Sequence, residues 1–406
     1  MKKVLSKMFR VVCGILFLPF WWLERLIPRD KRIFVFGSRW GRKYSDNPKA
    51  LYEFILKNET NLKPYWITKD KKLYKKLLSE NKPVVMTYSL KEWWISLHAS
   101  AAFTCTDQSN INRYALNGAK HVFLFHGMPL KQIRGNKEDS IYNINEKRLS
   151  IKSIQLIIIK YLIPYDYFKS IVCATISSGD FFMPFLEQAF FLSIEKVWTT
   201  GLPRTDYYFD NKTDGTIDNI RKKYTDSRIV LYMPTIRDTR WSKGISYNPF
   251  EEKSFDSQAF SEFLNNENIV FLYKAHINDI SVNFSFLSDR FILIKEDDYE
   301  ELYVLISNID ILITDYSSVY FDFLCLNKPA ILAPFDYEDY VRTSRKMNFD
   351  YELLTSIKAY NWNELMYIIT EKKYYVVPKE EADKFCKYND GHACERVLQK
   401  TLNLIN

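Results

Sequence analysis

The segment Val122-Phe-Leu-Phe-His126-Gly127-Met128-Pro129-Leu130-Lys131 ends an apolar run on a histidine and then turns on glycine and proline. This order predicts a buried strand with His126 on the loop at its carboxyl end. An imidazole titrating near neutrality can accept a hydroxyl proton there. A second segment, Val270-Phe-Leu-Tyr-Lys274-Ala275-His276, has the same arrangement, and His276 can donate to a phosphate oxygen. A hydrogen-bonded core histidine is the plainer account of each. The repetition raises both above it, because two of only five histidines stand at equivalent strand ends. His98 and His121 lack that setting and read as structural.

Two further segments bear on phosphate chemistry. In Asp310-Ile-Leu-Ile-Thr314-Asp315-Tyr316-Ser317-Ser318-Val319-Tyr320-Phe321-Asp322 a strand gives way to a helix. The hydroxyls of Ser317 and Ser318 can cap that helix, and a helix start carrying free N–H groups and hydroxyls suits a phosphate. In Leu231-Tyr-Met-Pro234-Thr235-Ile236-Arg237-Asp238 a strand leads into Pro-Thr-x-Arg. A guanidinium placed there can fork onto a diphosphate, although a surface salt bridge would also account for it. Neither a Walker loop nor a glycine-rich dinucleotide loop is present in the sequence.

The elements that must position these residues follow from hydrophobic periodicity. Strands are predicted at 32–37, 63–68, 82–88, 101–106 and 121–125, with helices at 47–57 and 71–79. The pattern restarts after Gly201-Leu202-Pro203. Strands follow at 229–233, 269–275, 291–294, 309–314 and 330–333, with helices at 257–265, 300–306, 317–324, 362–370 and 394–404. Alternating strands and helices predict parallel sheets covered on both faces, here in two α/β halves meeting near residue 200. Ligands in such sheets bind beyond the carboxyl ends of the strands, so the predicted site is the cleft between the halves.

Bulk properties narrow the partners. The 406 residues carry a formal net charge of +8, which favours phosphates, nucleotides or anionic lipid; no nucleic-acid motif accompanies it. Cys13, Cys105, Cys173, Cys325, Cys386 and Cys394 form no CxxC pair and read as reduced, structural residues. A zinc site from Cys386, His392 and Cys394 matches no common spacing, so no metal site is predicted. Lysines and arginines flank the apolar stretch 11–23, which is shorter than the ~20 residues a spanning helix needs. Trp21 and Trp22 sit at its end, where interfacial aromatics gather. The stretch reads as a monotopic anchor on the cytoplasmic face of the membrane, with a true span as its rival. Residues 151–168 form a second apolar candidate that reads equally well as a core element.

Taken in order, these segments resemble the CDP-glycerol glycerophosphotransferase family, the polymerases and primases of wall teichoic acid and related capsules. The matching pieces are Tyr44-Ser45-Asp46-Asn47-Pro48, Phe125-His126-Gly127-Met128-Pro129, Gly201-Leu202-Pro203-Arg204-Thr205-Asp206, Pro234-Thr235-Ile236-Arg237-Asp238, His276 and the segment 310–322. Phe335-Asp336-Tyr337, Asn348-Phe349-Asp350 and Asn389-Asp390-Gly391 also fit, so the likeness covers roughly 33–400. Two departures stand out: Met128 where the family has Thr, and Ile236 where it has Trp.

The resemblance implies a GT-B-type fold of two Rossmann-like domains. Residues 1–30 would associate with the membrane, 31–200 form the acceptor domain and 201–406 form the CDP-donor domain. It implies transfer of glycerol phosphate or ribitol phosphate from a CDP-polyol to a hydroxyl of a lipid-linked or glycan acceptor, with release of CMP. His126 falls on the catalytic base and His276 on a catalytic diphosphate contact. Arg237, Thr235, Asp315, Ser317, Ser318 and Asp322 fall on the donor site. No cofactor is required, and Mg²⁺ carried by the diphosphate is compatible with this reading. A GT-B glycosyltransferase using a nucleotide sugar is the alternative, and a non-enzymatic binder of anionic lipid is the second.

Overall fold

The structure is a computed structural model that describes residues 19–20, 23–107, 110–112, 114–134, 171–210, 212–235, 237, 247–274, 288–343 and 346–406. His276, the 151–168 candidate and most of the stretch 11–23 lie outside these residues.

The first half builds a parallel sheet of seven strands in the order β3-β2-β1-β4-β5-β6-β7. These are β1 (Asp30–Gly37), β2 (Lys63–Thr68), β3 (Val84–Met86), β4 (Ala99–Thr104), β5 (Lys120–Phe123), β6 (Val172–Ser177) and β7 (Val197–Thr199). Helix α1 (Asp46–Asn58) covers one face and α2 (Leu90–His98) the other. The alternation along β1 explains this packing. Phe34 and Phe36 join Leu51 and Ile55 of α1, while Ile33 and Val35 join Ile95 of α2. All four β1 side chains are at most 2% exposed, as a parallel strand buried on both faces requires. Strands β6 and β7 and helix α2 were not foreseen from periodicity. Helix α2 points Leu90 and Trp94 outward at 91% and 57% exposure, which blurs its amphipathic pattern.

The second half holds a five-stranded parallel sheet in the order β10-β9-β8-β11-β12. Its strands are β8 (Arg228–Met233), β9 (Ile269–Tyr273), β10 (Phe291–Leu293), β11 (Ile311–Thr314) and β12 (Ala330–Leu332). Around it lie α3 (Leu302–Ser307), α4 (Val319–Leu324) and α5 (Trp362–Thr370). In each sheet the winding reverses once, between β1 and β4 in the first and between β8 and β11 in the second. Those two crevices are where this architecture binds ligands.

One hydrophobic cluster runs through both halves, from Phe34 and Leu51 to Leu231, Leu312 and Phe321. The chain also crosses back. After α5, helix α6 (Lys379–Phe385) reaches the first half, where Ser178 Oγ donates to the Phe385 carbonyl at 2.6 Å. The last helix, α7 (Ala393–Ile405), packs on α1, β4 and β5. Asp206 caps α7, accepting from the amides of Ala393 at 3.0 Å and Cys394 at 2.7 Å.

The cysteine reading needs correction. Cys325 and Cys386 form a disulfide, while Cys105, Cys173 and Cys394 are free. The bonded pair is 61 residues apart in sequence, and only the docking of α6 near the end of α4 brings them together. Cys386 is thereby removed from any zinc set.

Candidate functional site

His126 stands on the loop after β5, as its motif predicts, and is half-buried in the cleft. Asn47, at the start of α1, fixes that loop by donating to the carbonyls of Leu124 at 2.8 Å and Phe125 at 3.0 Å. The imidazole Nδ1 lies 2.9 Å from the Cys105 carbonyl oxygen. A carbonyl can only accept, so Nδ1 carries the proton and Nε2 keeps its lone pair. Burial, aided by the nearby charge of Arg39, lowers the His126 pKa to about 4, with Asp46 opposing. The ring is therefore a neutral base at pH 7. His98 and His121 behave as structural residues: each holds a backbone carbonyl, of Trp94 at 2.8 Å and of Leu116 at 3.0 Å.

Beneath this loop lies a buried ionic network of which the sequence-based site held only Asp322. Arg204 donates through Nη1 to Asp46 at 2.7 Å and to the His126 carbonyl at 2.9 Å. Through Nη2 it donates to Asp322 on α4 at 2.7 Å. Its backbone amide donates to Asn47 Oδ1 at 3.1 Å. Asp46 also accepts from Arg39 at 3.0 Å, and Asp322 from the Tyr303 hydroxyl at 2.9 Å. Burial raises Asp322 to about 6, with Arg204 opposing, so it remains ionised at pH 7. Asp322 thus ties α4 to the first half and is 2% exposed, rather than presenting its carboxylate to a ligand.

Across the cleft, Ser317 and Ser318 lie between β11 and α4 and are partly exposed. The capping reading needs revision. Ser317 Oγ accepts only a long bond from the Val319 amide, 3.4 Å, and Ser318 makes no side-chain cap. Ser318 instead abuts the His126 loop: a methyl group on Gly127 would come within 2.2 Å of its Oγ and 2.9 Å of its Cβ. Gly127 thus permits the His126 loop and the serine pair to meet. The buried Thr235 hydroxyl, at the end of β8, has no partner among the described residues.

Arg237 departs from expectation. Its guanidinium donates to Asp336 at 2.8 and 2.7 Å and to Asp315 at 2.8 Å, and it is 3% exposed. It also lies 3.8 Å from the Tyr247 ring centre. Burial opposes its charge, but Asp315 and Asp336 outweigh that and hold its pKa well above the usual arginine value. A guanidinium filled in this way braces the second half and leaves no open fork for a diphosphate. Asp315 is likewise enclosed, accepting from the amides of Thr235 at 2.8 Å and Tyr316 at 2.6 Å.

Positive charge in the cleft comes from other residues. Arg39 and Lys43 project from the loop after β1, and Lys274 ends β9 with its side chain only 10% exposed. Lys43 and Lys274 both pair with Glu296, and Lys49 with Glu301, linking the halves. Asn348 adds another tie, donating to the carbonyls of Pro129 at 2.6 Å and Lys131 at 3.1 Å. Arg39, Asp46, Arg204 and Lys274 were not picked out as site residues, although three of them stand in segments carrying the family resemblance or beside a flagged histidine. Periodicity shows where a strand ends but not which charges will face one another across a cleft.

Comparison with known proteins places this geometry in context. The model of the family described as CDP-Glycerol:Poly(glycerophosphate) glycerophosphotransferase matches residues 20–403. The teichoic acid glycerol-phosphate transferase of Staphylococcus aureus (strain NCTC 8325 / PS 47) is 26% identical over 390 residues, covering 91% of this chain and 92% of the relative. The teichoic acid poly(glycerol phosphate) polymerase of Bacillus subtilis (strain 168) is 26% identical over 394 residues, but the match spans only 49% of that protein. A structure of the wall teichoic acid polymerase TagF shares the fold at a TM-score of 0.70 and 20% identity, covering 100% of this chain and 98% of that one.

Proposed function

The chain belongs to the CDP-glycerol:poly(glycerophosphate) glycerophosphotransferase family, and on that premise we propose that it moves glycerol phosphate or ribitol phosphate from a CDP-polyol to an acceptor hydroxyl, releasing CMP. The observation that carries this reading is the contact of Gly127 with Ser318. It brings the loop that carries His126 against the serine that precedes α4, at the crevice of the second sheet.

The chemistry follows from that placement. The acceptor oxygen attacks the phosphorus bearing the polyol, and its proton passes to His126 Nε2. The bond from that phosphorus to the bridging oxygen breaks, and CMP leaves with the oxygen. Ser317, Ser318 and the Thr235 hydroxyl, unpartnered among the described residues, offer donors to the diphosphate, and Lys274 supplies positive charge from the end of β9. Arg237, Asp315 and Asp322 hold these groups in place. His276 retains its proposed diphosphate contact from its place in the sequence. The reading requires no protein-held cofactor, and Mg²⁺ carried by the diphosphate is compatible with it.

The acceptor is proposed to be lipid-linked or a glycan, with the enzyme working at the cytoplasmic face of the membrane in teichoic acid or capsule synthesis. Among the described residues no helix is long and apolar enough to cross a membrane. Exposed apolar side chains fit surface attachment: Leu23, Leu26, Leu90 and Trp94 are 58%, 78%, 91% and 57% exposed. Phe20 meets Trp93 of α2 at 5.8 Å, which brings the end of the anchor stretch onto that helix. The decisive experiment offers a panel of CDP-polyols and UDP-sugars and measures nucleotide release. CMP from CDP-glycerol or CDP-ribitol is expected; UDP alone would favour a glycosyltransferase.

A further inference from the structure

The donor residues proposed above belong to the crevice of the second sheet, between β8 and β11. The equivalent crevice of the first sheet, between β1 and β4, is left unassigned. We propose that the loop after β1, residues 38–43, is the docking site for a phosphodiester-bearing acceptor chain, with Trp40 stacked on its polyol or sugar face and Arg39 and Arg42 on its phosphate. This inference rests on the polyol-phosphate transfer reading.

Three observations support it. The first is position. The loop leaves the carboxyl end of β1 beside the reversal of strand order, where this fold binds ligands. Arg39 is close enough to His126 to act on its protonation, and Lys43 reaches Glu296 in the second half. Trp40 lies between them in the chain, within ~10 Å of both backbones.

The second is backbone shape. Arg39, Trp40 and Gly41 all have left-handed φ values, 42°, 59° and 75°. Such a run is disfavoured for arginine and tryptophan and persists where surrounding contacts impose it. Here the Gly41 carbonyl accepts from Thr68 Oγ1 at 2.9 Å and from the Lys69 amide at 2.6 Å. The outcome is that Trp40, a large aromatic, is held 55% exposed.

The third is chemistry. Arg42 is exposed and makes no ion pair among the described residues, and Arg39 is 39% exposed beyond its bond to Asp46. An exposed aromatic with arginines one residue before it and two after it in the chain matches a ligand that alternates carbon-bound hydrogens with phosphates.

The test uses full-length protein and two synthetic acceptors, an alkyl disaccharide with and without a terminal glycerol phosphate. Calorimetry reads acceptor binding directly, and CMP release from CDP-glycerol reads kcat and KM. The phosphorylated acceptor should bind about tenfold more tightly, the scale of one charge-assisted contact. Arg42→Ala and Trp40→Ala should each erase most of that margin and raise acceptor KM, while the Kd for CDP-glycerol stays unchanged. Arg42→Lys should recover part of the loss. If both variants keep the margin, or wild type treats the two acceptors alike while releasing CMP, the docking site is refuted and the transfer reading stands. If wild type discriminates between the acceptors but releases CMP from no CDP-polyol, the transfer reading fails and the docking site stands.

Discussion

Arg204 Nη2 donates to Asp322 Oδ2 at 2.7 Å, joining the segment after β7 to helix α4 of the other half. The same guanidinium holds the His126 carbonyl, so one buried cation sets both the approach of the halves and the base between them. Removing one partner of a buried ion pair strands the other charge, at a cost of about 3–5 kcal/mol. Arg204→Ala should therefore lower the melting temperature markedly and abolish turnover together. An Arg204→Ala protein that melts like wild type would show that the network is dispensable for folding.

His126→Ala should behave differently. Its loop is held by Asn47 and Arg204 through backbone atoms, so the fold should survive. Turnover should fall by roughly 10²–10⁴, the usual worth of general-base help, while CDP-glycerol binding by calorimetry stays near normal. Near-normal turnover would make His126 structural.

The acid limb of activity follows from the His126 environment. Burial lowers this histidine to about 4, so the reactive neutral form persists well below the ordinary histidine range. The limb in kcat/KM should lie near pH 4 to 5 rather than at the ~6.5 of a free histidine. Linkage has the matching sign. A histidine kept neutral by folding contributes stability that is complete above its unfolded pKa and declines as pH falls from there toward 4. A limb at 6.5 would show that the base is solvated during turnover.

Gly127→Ala tests the meeting of the two halves. The added methyl would press on Ser318, so the loop or the serine must shift. Turnover should fall at least tenfold, about the effect of losing one aligned contact, and donor binding should weaken with it. Gly127→Ala combined with Ser318→Gly, which removes the opposing side chain, should recover the fold of the loop but not the serine's contact. An unimpaired Gly127→Ala enzyme would mean that the halves separate before reaction.

The disulfide gives a stability prediction. Closing a long loop between Cys325 and Cys386 should contribute about 2–4 kcal/mol. Thiol reductant, or Cys325→Ser, should lower the melting temperature by several degrees. Identical melting with and without reductant would mean that the pair is normally reduced.

Much of this arrangement was legible in the sequence, and the gaps have physical causes. Strand segments such as 33–36 and 269–273 are buried on both faces, so their apolar runs are continuous and easily read. His126 was legible because glycine and proline break the chain just after a strand. Strand β7 spans only three residues, too short for any period to register. The enclosure of Arg237 was not legible because a strand-end arginine looks the same whether it faces a ligand or two aspartates; Asp336 lies 99 residues away. The Arg204 network and the disulfide were hidden for the same reason, since both depend on partners brought together only by the packed halves.

The return of α7 to the first sheet has a mechanical consequence. The chain passes between the halves twice, once after β7 and once near α6, where the Lys387 amide donates to the Ser178 carbonyl at 2.9 Å. A body tethered at one point can tumble freely, whereas one tethered at two can only swivel about the line joining them. A cleft that opened on these tethers would swing about the line joining them, and closing it would return Ser318 to Gly127 along the same arc.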